Sequence, residues 1–296
     1  MWLALDRGKL PSVVELNSMF ARARDMQQMV VAYHLSSVAV QFIGEKWGFP
    51  KLVQALKLFG EGKNTEETLR AITGLDAKAF DAAFRQYLAT RLAPYQGTFK
   101  VALNEYADVT EREKEADARP KDADAQADVG LAYLVARKIP EAEGAAGKAL
   151  GLDAKNKKAL YLLGELDFLN KRNAEAKTRF HALIAAGGDG YDVRVRLGQI
   201  AVQDKDIAGA ESELLRAKKL DPERSEPYVL LADLYRSQGR DKDALAELEK
   251  YVYIEQMESE PLKQLVEGYT RLKDWRKVRE LGEMALNIAP YDAELH

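Results

Sequence analysis

Cysteine is absent from this sequence, which excludes disulfides, thiolate metal sites and cysteine nucleophiles. The absence does not fix a compartment, because exported proteins also do without it. Histidine is nearly as scarce: His34, His181 and His296 are the three present, too scattered for a metal motif, and His-Glu-x-x-His does not occur. No metal and no cofactor are expected. No apolar run approaches the roughly 18 residues of a membrane span. The opening Met1-Trp2-Leu3-Ala4-Leu5-Asp6-Arg7 is too short and too soon charged for a secretory signal. Charge of one sign is lacking too, with a net of -3 and no lysine-arginine run, so nucleic acid is excluded as a partner. No serine sits in a nucleophile elbow with a partnered histidine. Gly187-Gly188-Asp189-Gly190 lacks the strand and lysine of a phosphate loop and reads as a turn, and Glu165 with Asp167 reads as a solvated face.

What is present in abundance is periodicity. From residue 123 to 292 one pattern returns every 34 residues, in copies starting at Ala123, Lys157, Tyr191, Ser225 and Ser259 with no insertion between them. Position eight is Gly130, Gly164, Gly198, Ala232 and Val266; position twenty is Ala142, Ala176, Ala210, Ala244 and Val278. Tyr133, Tyr235 and Tyr269 recur at position eleven, and Pro222 and Pro290 at thirty-two. A helical hairpin of this size stacks on its neighbours to bury its faces, and small residues mark the closest approaches. Position eight should bring together the two helices of one repeat, and position twenty should meet the next repeat. Proline after the second helix ends it.

These columns resemble the tetratricopeptide repeat. The resemblance implies an all-α fold, a right-handed α-solenoid of about five hairpins (123–156, 157–190, 191–224, 225–258 and 259–292) whose first helices line an inner groove for a protein or peptide. Positions two, five, nine and twelve then face the groove, giving Tyr161, Glu165 and Phe168, then Val195, Gln199 and Val202, then Val229, Asp233 and Arg236, and finally Lys263, Glu267 and Thr270. Family members that clamp a C-terminal carboxylate place lysine and asparagine at positions five and nine. Glutamate and aspartate stand at two of the matching places here, which argues against such a clamp.

Residues 1–92 lack the period but carry helix punctuation. Ser12 and Asp25 suit N-caps, Gly48 a stop, Pro50 a first turn, Asn64 to Glu67 a capping box, and Asp76 a further cap. The order Ala32-Tyr33-His34-Leu35-Ser36, Phe42-Ile43, Trp47-Gly48, Gly60-Glu61-Gly62 and Gly74-Leu75-Asp76 resembles the C-terminal helical part of peptidase MA-like (gluzincin) metallopeptidases, whose zinc-binding half would precede Met1. That resemblance implies an oxyanion-stabilising role for Tyr33 when a metal is beside it. The other reading of Tyr33 is an amphipathic-helix residue with a buried ring. Residues 93–122 read as a connector, broken at Pro94-Tyr95-Gln96-Gly97. It continues as one long helix from Thr98 to Ala118 that joins the halves and caps the array as a degenerate half-repeat.

The functional expectation is a non-catalytic interaction scaffold, with the C-terminal portion of a zinc peptidase as the alternative. Residues after Pro290 read as the opening of a sixth repeat, which implies a fragment of a longer protein. They would leave Leu281, Met284, Ala285 and Ile288 uncovered for end-to-end self-contact.

Overall fold

A computed structural model describes residues 11–23, 26–93 and 97–291. The expected cap Asp25, the break at Pro94 to Gln96, the start of a sixth repeat beyond Tyr291 and His296 lie outside the described residues. The described part is all α, with sixteen α-helices. It divides into two compact units, Met1–Gln96 and Gly97–His296.

In the first unit the helices are α1 (Leu16–Arg22), α2 (Met26–Trp47), α3 (Phe49–Gly60), α4 (Thr65–Thr73) and α5 (Ala77–Leu92). Local chemistry sets their ends. Ser12 and Glu15 form a capping box on a 3-10 turn that leads into α1, Asn64 and Glu67 form one on α4, and Asp76 caps α5. Gly48 and Gly62 have φ of 89° and 82°, conformations that stop α2 and α3 and that side-chain-bearing residues avoid. The core joins Leu35, Phe42, Leu69, Ile72, Phe80, Phe84 and Leu88, and Phe42 meets Trp47 edge-on at 5.3 Å.

The second unit holds five hairpins: α7 (Ala123–Val135) with α8 (Ile139–Leu152), α9 (Lys157–Leu169) with α10 (Asn173–Ala185), α11 (Tyr191–Gln203) with α12 (Ile207–Leu220), α13 (Glu226–Ser237) with α14 (Asp241–Ile254), and α15 (Ser259–Arg271) with α16 (Trp275–Ile288). In two copies the glycine column works as read, a Cβ on Gly164 lying 2.7 Å from the Phe180 ring of its own repeat and one on Gly198 2.8 Å from Leu214, whereas a Cβ on Gly130 would meet Leu162 of the next repeat first, at 2.7 Å. Position twenty also meets its own hairpin in the first copy. The ideal Cβ of Gly130 is 3.4 Å from the carbonyl oxygen of Ala142 across that hairpin.

The connector also differs from its expectation. Instead of one helix from Thr98, the chain runs without regular secondary structure to Ala102, makes a 3-10 turn at Leu103–Tyr106 and only then forms α6 (Val109–Ala118), which Asp108 caps. Phe99, Val101 and Tyr106 pack on the array core. α6 itself stands where a second helix would precede α7, burying Ala116 against Val129 and Ala145.

At the far end, Leu281 and Ala285 are 5% and 0% exposed, packed with Leu262, Leu265 and Val252. The expected sticky face is therefore reduced to exposed Met284 and half-buried Ile288, because α16 turns its apolar stripe into its own hairpin.

Candidate functional site

The first helices α7, α9, α11, α13 and α15 carry the residues expected in the groove, but the groove is not uniformly open. Tyr161, Glu165 and Val195 are 7%, 7% and 2% exposed. Phe168, Gln199, Val229 and Lys263 are half-buried, while Val202, Asp233, Arg236, Glu267 and Thr270 are exposed. The buried members lie toward the front of the array, and part of their cover comes from the chain itself.

That cover is the stretch before α6. The Phe99 N–H donates to the Asp189 carbonyl at 2.8 Å, and the Phe99 ring lies 5.7 Å from the ring of Tyr161. A Cβ on Gly190 would meet the Phe99 carbonyl oxygen at 2.0 Å, so only glycine leaves room for this backbone. Further along, Tyr106 is 8% exposed beside the Lys158–Asp128 ion pair, whose Nζ–Oδ1 distance is 2.6 Å. Burial pushes the Tyr106 hydroxyl above its ordinary range, and the Asp128 charge adds to that.

Under the groove floor runs a polar network. Arg196 donates through Nε to both Glu165 oxygens at 3.0 and 3.1 Å and through a terminal nitrogen to Gln199 at 2.8 Å. Gln199 in turn donates to Glu226 at 2.9 Å, and the guanidinium lies 4.9 Å from the Phe168 ring centre. Burial pushes the Glu165 carboxyl up despite the opposing Arg196 charge, and burial likewise pushes up the Tyr161 hydroxyl, which sits beside Glu165. The solvated-face reading of Glu165 and Asp167 is therefore wrong. Both are 7% exposed, and each is held by an arginine, Asp167 by Arg172 at 2.8 Å. Charges this deep persist because they are paired. Farther along the groove, Asp233 pairs with Arg236, which also reaches Gln264 at 3.0 Å.

The glycine-rich turn between the second and third repeats turns out to belong to this site. Gly187 takes the left-handed φ of 78°, and the Asp189 carboxylate is gripped by Arg194 through two 2.7 Å bonds. Arg194, itself only 7% exposed, also holds Glu213 at 2.7 Å. Sequence reasoning missed Phe99, Asp189, Gly190 and Arg194. The one available signal was arginine at position four, where neighbouring repeats carry Leu160 and Tyr228.

In the first unit, Tyr33 is 63% exposed and meets Phe20 edge-on at 4.8 Å, so its ring is not buried. His34 and His181 are also exposed. Among the described residues no group of three or more histidine, aspartate or glutamate side chains is arranged to hold a metal ion. No described helix is long and apolar enough to cross a membrane.

Comparison with known proteins agrees with the geometry. The tetratricopeptide repeat family model matches residues 225–256, within the fourth copy. No curated protein matches. Among solved structures, YrrB, described as a TPR protein with an unusual peptide-binding site, is 20% identical with a TM-score of 0.53, over 64% of this chain and 97% of that one. PilF of Pseudomonas aeruginosa is 20% identical with a TM-score of 0.51, over 62% and 84%. PilW, a widely conserved type IV pilus biogenesis factor, is 19% identical with a TM-score of 0.51, over 71% and 94%. At these identities the likeness is one of fold.

Proposed function

We propose that the chain, whose second unit has the fold of a tetratricopeptide-repeat array, serves as a non-catalytic scaffold that holds a segment of another protein in the groove of its first helices. The observation that carries this reading is the stretch at Phe99: beside Tyr161 the array already accommodates a non-helical backbone, with one main-chain hydrogen bond and an aromatic contact. YrrB, which shares the fold, is described as binding peptide. The open stretch from Phe168 through Val202 and Val229 to Arg236 offers apolar patches between paired charges, a surface suited to a peptide rather than to a small polar substrate.

The test is photocrosslinking in the native host, with a reactive side chain at Val202 and a control at Leu215, which is exposed on the second-helix side. One partner segment should be captured at Val202, missing at Leu215, and lost when Val229→Asp is added. Equal capture at both positions would overturn the proposal.

The alternative keeps residues 1–92 as the tail of a gluzincin domain. Tyr33 is exposed on α2, which leaves the phenol reachable and does not separate this alternative from an ordinary surface tyrosine. Zinc-dependent hydrolysis by a protein containing this chain, lost on Tyr33→Phe, would establish it; hydrolysis indifferent to Tyr33→Phe would remove it. End-to-end association loses its main support, since Leu281 is buried and only Met284 and part of Ile288 remain outside.

A further inference from the structure

We infer that the stretch from Thr98 to Tyr106 is a ligand held in cis, and that the external partner is an extended segment presenting an aromatic residue and, two positions on, a β-branched one for the same seat. This rests on the groove reading above and adds the partner's chemistry to it.

Three observations carry it. First, the stretch is neither helix nor strand of its own where it meets the array: Phe99 and Val101 pack on the array core while Lys100 between them is exposed. Second, the array recognises main chain as well as side chains there. The Asp189 carbonyl takes the Phe99 N–H at 2.8 Å, and Gly190 leaves space that a Cβ would close to 2.0 Å from the Phe99 carbonyl oxygen. Main-chain hydrogen bonding with pockets for alternate side chains is how extended peptides are read whatever protein they belong to. Third, the seat is not sealed. Phe99 borders an open recess of about 470 Å³, shared with Asp124, Asp153, Lys155 and Lys158, through which water reaches the edge of the contact.

A tethered occupant competes at an effective concentration on the order of millimolar, so an external segment of equal intrinsic affinity binds the intact chain far more weakly than a chain with the seat vacated. The experiment titrates a labelled peptide of residues 98–107, Thr-Phe-Lys-Val-Ala-Leu-Asn-Glu-Tyr-Ala, into the full chain by fluorescence anisotropy. Phe99→Ser with Val101→Ser should bind it at least tenfold tighter than the unaltered chain, and Gly190→Val added to that pair should abolish binding. Equal affinity for both chains overturns the inference, as does no binding to a double variant whose circular dichroism shows it folded. Should the double variant unfold, hydrogen exchange on the unaltered chain decides. The Phe99 amide, which bonds the Asp189 carbonyl, exchanging at least tenfold faster than those of α9 supports a displaceable ligand, and equal protection at that amide makes the stretch a fixed wall and overturns it. A partner that crosslinks at Val202 without competing with the peptide sinks this inference and leaves the groove reading intact.

Discussion

The Tyr133 hydroxyl donates a 2.9 Å hydrogen bond to Glu113, twenty residues earlier on α6. The same bond recurs along the array, from Tyr235 to Glu211 at 3.0 Å and from Tyr269 to Glu249 at 2.8 Å. Each donor is the tyrosine at position eleven, and each acceptor stands on the second helix before it. α6 thus does for the first repeat what α12 and α14 do for the fourth and fifth. A cation completes the set in the last two cases, Arg240 reaching Glu211 at 3.1 Å and Lys277 reaching Glu249 at 2.8 Å.

Tyr269→Phe should lower stability by about 1 kcal/mol, the usual net worth of such a bond. Burial pushes the Glu249 carboxyl up, but the bonds from Lys277 and Tyr269 outweigh it and hold the group below its ordinary value. A carboxyl depressed in the folded state contributes stability that is present above its unfolded pKa and lost as pH falls through the folded one. Chemical denaturation of the unaltered chain should therefore show stability falling as the solution is acidified below about pH 4.5. Tyr269→Phe with Lys277→Met should flatten that fall.

Glycines within one array should respond to alanine with opposite signs. At Gly164 the new methyl lands 2.7 Å from the fully buried Phe180 ring, and Gly164→Ala should cost about 1–3 kcal/mol. Gly147 on α8 has nothing within 4 Å of the added atom, and Gly147→Ala should stabilise by about 0.5–1 kcal/mol. Thermal melts of the two variants check both signs at once.

Position fifteen, in the turn between the helices of each hairpin, is left-handed in every repeat: Arg137, Lys171, Lys205 and Lys273 have φ of 60°, 59°, 60° and 58°, and Gly239 has 70°. A residue with a Cβ loses roughly 1 kcal/mol in this conformation. Lys171→Gly should therefore raise the midpoint of denaturation, and Gly239→Lys should lower it. No movement in either direction would mean that turn contacts compensate the strain.

Arg194→Met should destabilise the array by about 3 kcal/mol, because it leaves Glu213, whose side chain is 16% exposed, short of its closest partner. It also frees Asp189, whose carbonyl anchors Phe99. Hydrogen exchange should then quicken at the Phe99 amide ahead of global unfolding.

Much of the fold is legible without coordinates. The first helices of copies one, two, three and five begin at Ala123, Lys157, Tyr191 and Ser259, the positions where the period starts each copy, and that of the fourth begins one residue later at Glu226. Small residues at columns eight and twenty set how closely helices approach. The period also foretells which residues share the first-helix face. It does not tell which of them meet solvent, and so Glu165 and Asp167 pass for surface charges until Arg196 and Arg172 are seen beside them. Leu281 passes for a sticky end until α16 is seen packed on α15.

By itself, then, the sequence determined the repeating hairpins, their length and their stacking, because a 34-residue pattern repeated five times outweighs local ambiguity. Only the tertiary structure decided that the stretch from Thr98 to Tyr106 packs on the front of the array, over Tyr161. The reason is physical. Phe99, Leu103 and Tyr106 fall at the spacing of a helix face, while Phe99 and Val101 alone carry the spacing of a strand, and so short a stretch does not separate the two periods. What selects the non-helical path is remote in sequence: the Asp189 carbonyl, the space left at Gly190 and the ring of Tyr161, assembled only once the second and third repeats have stacked.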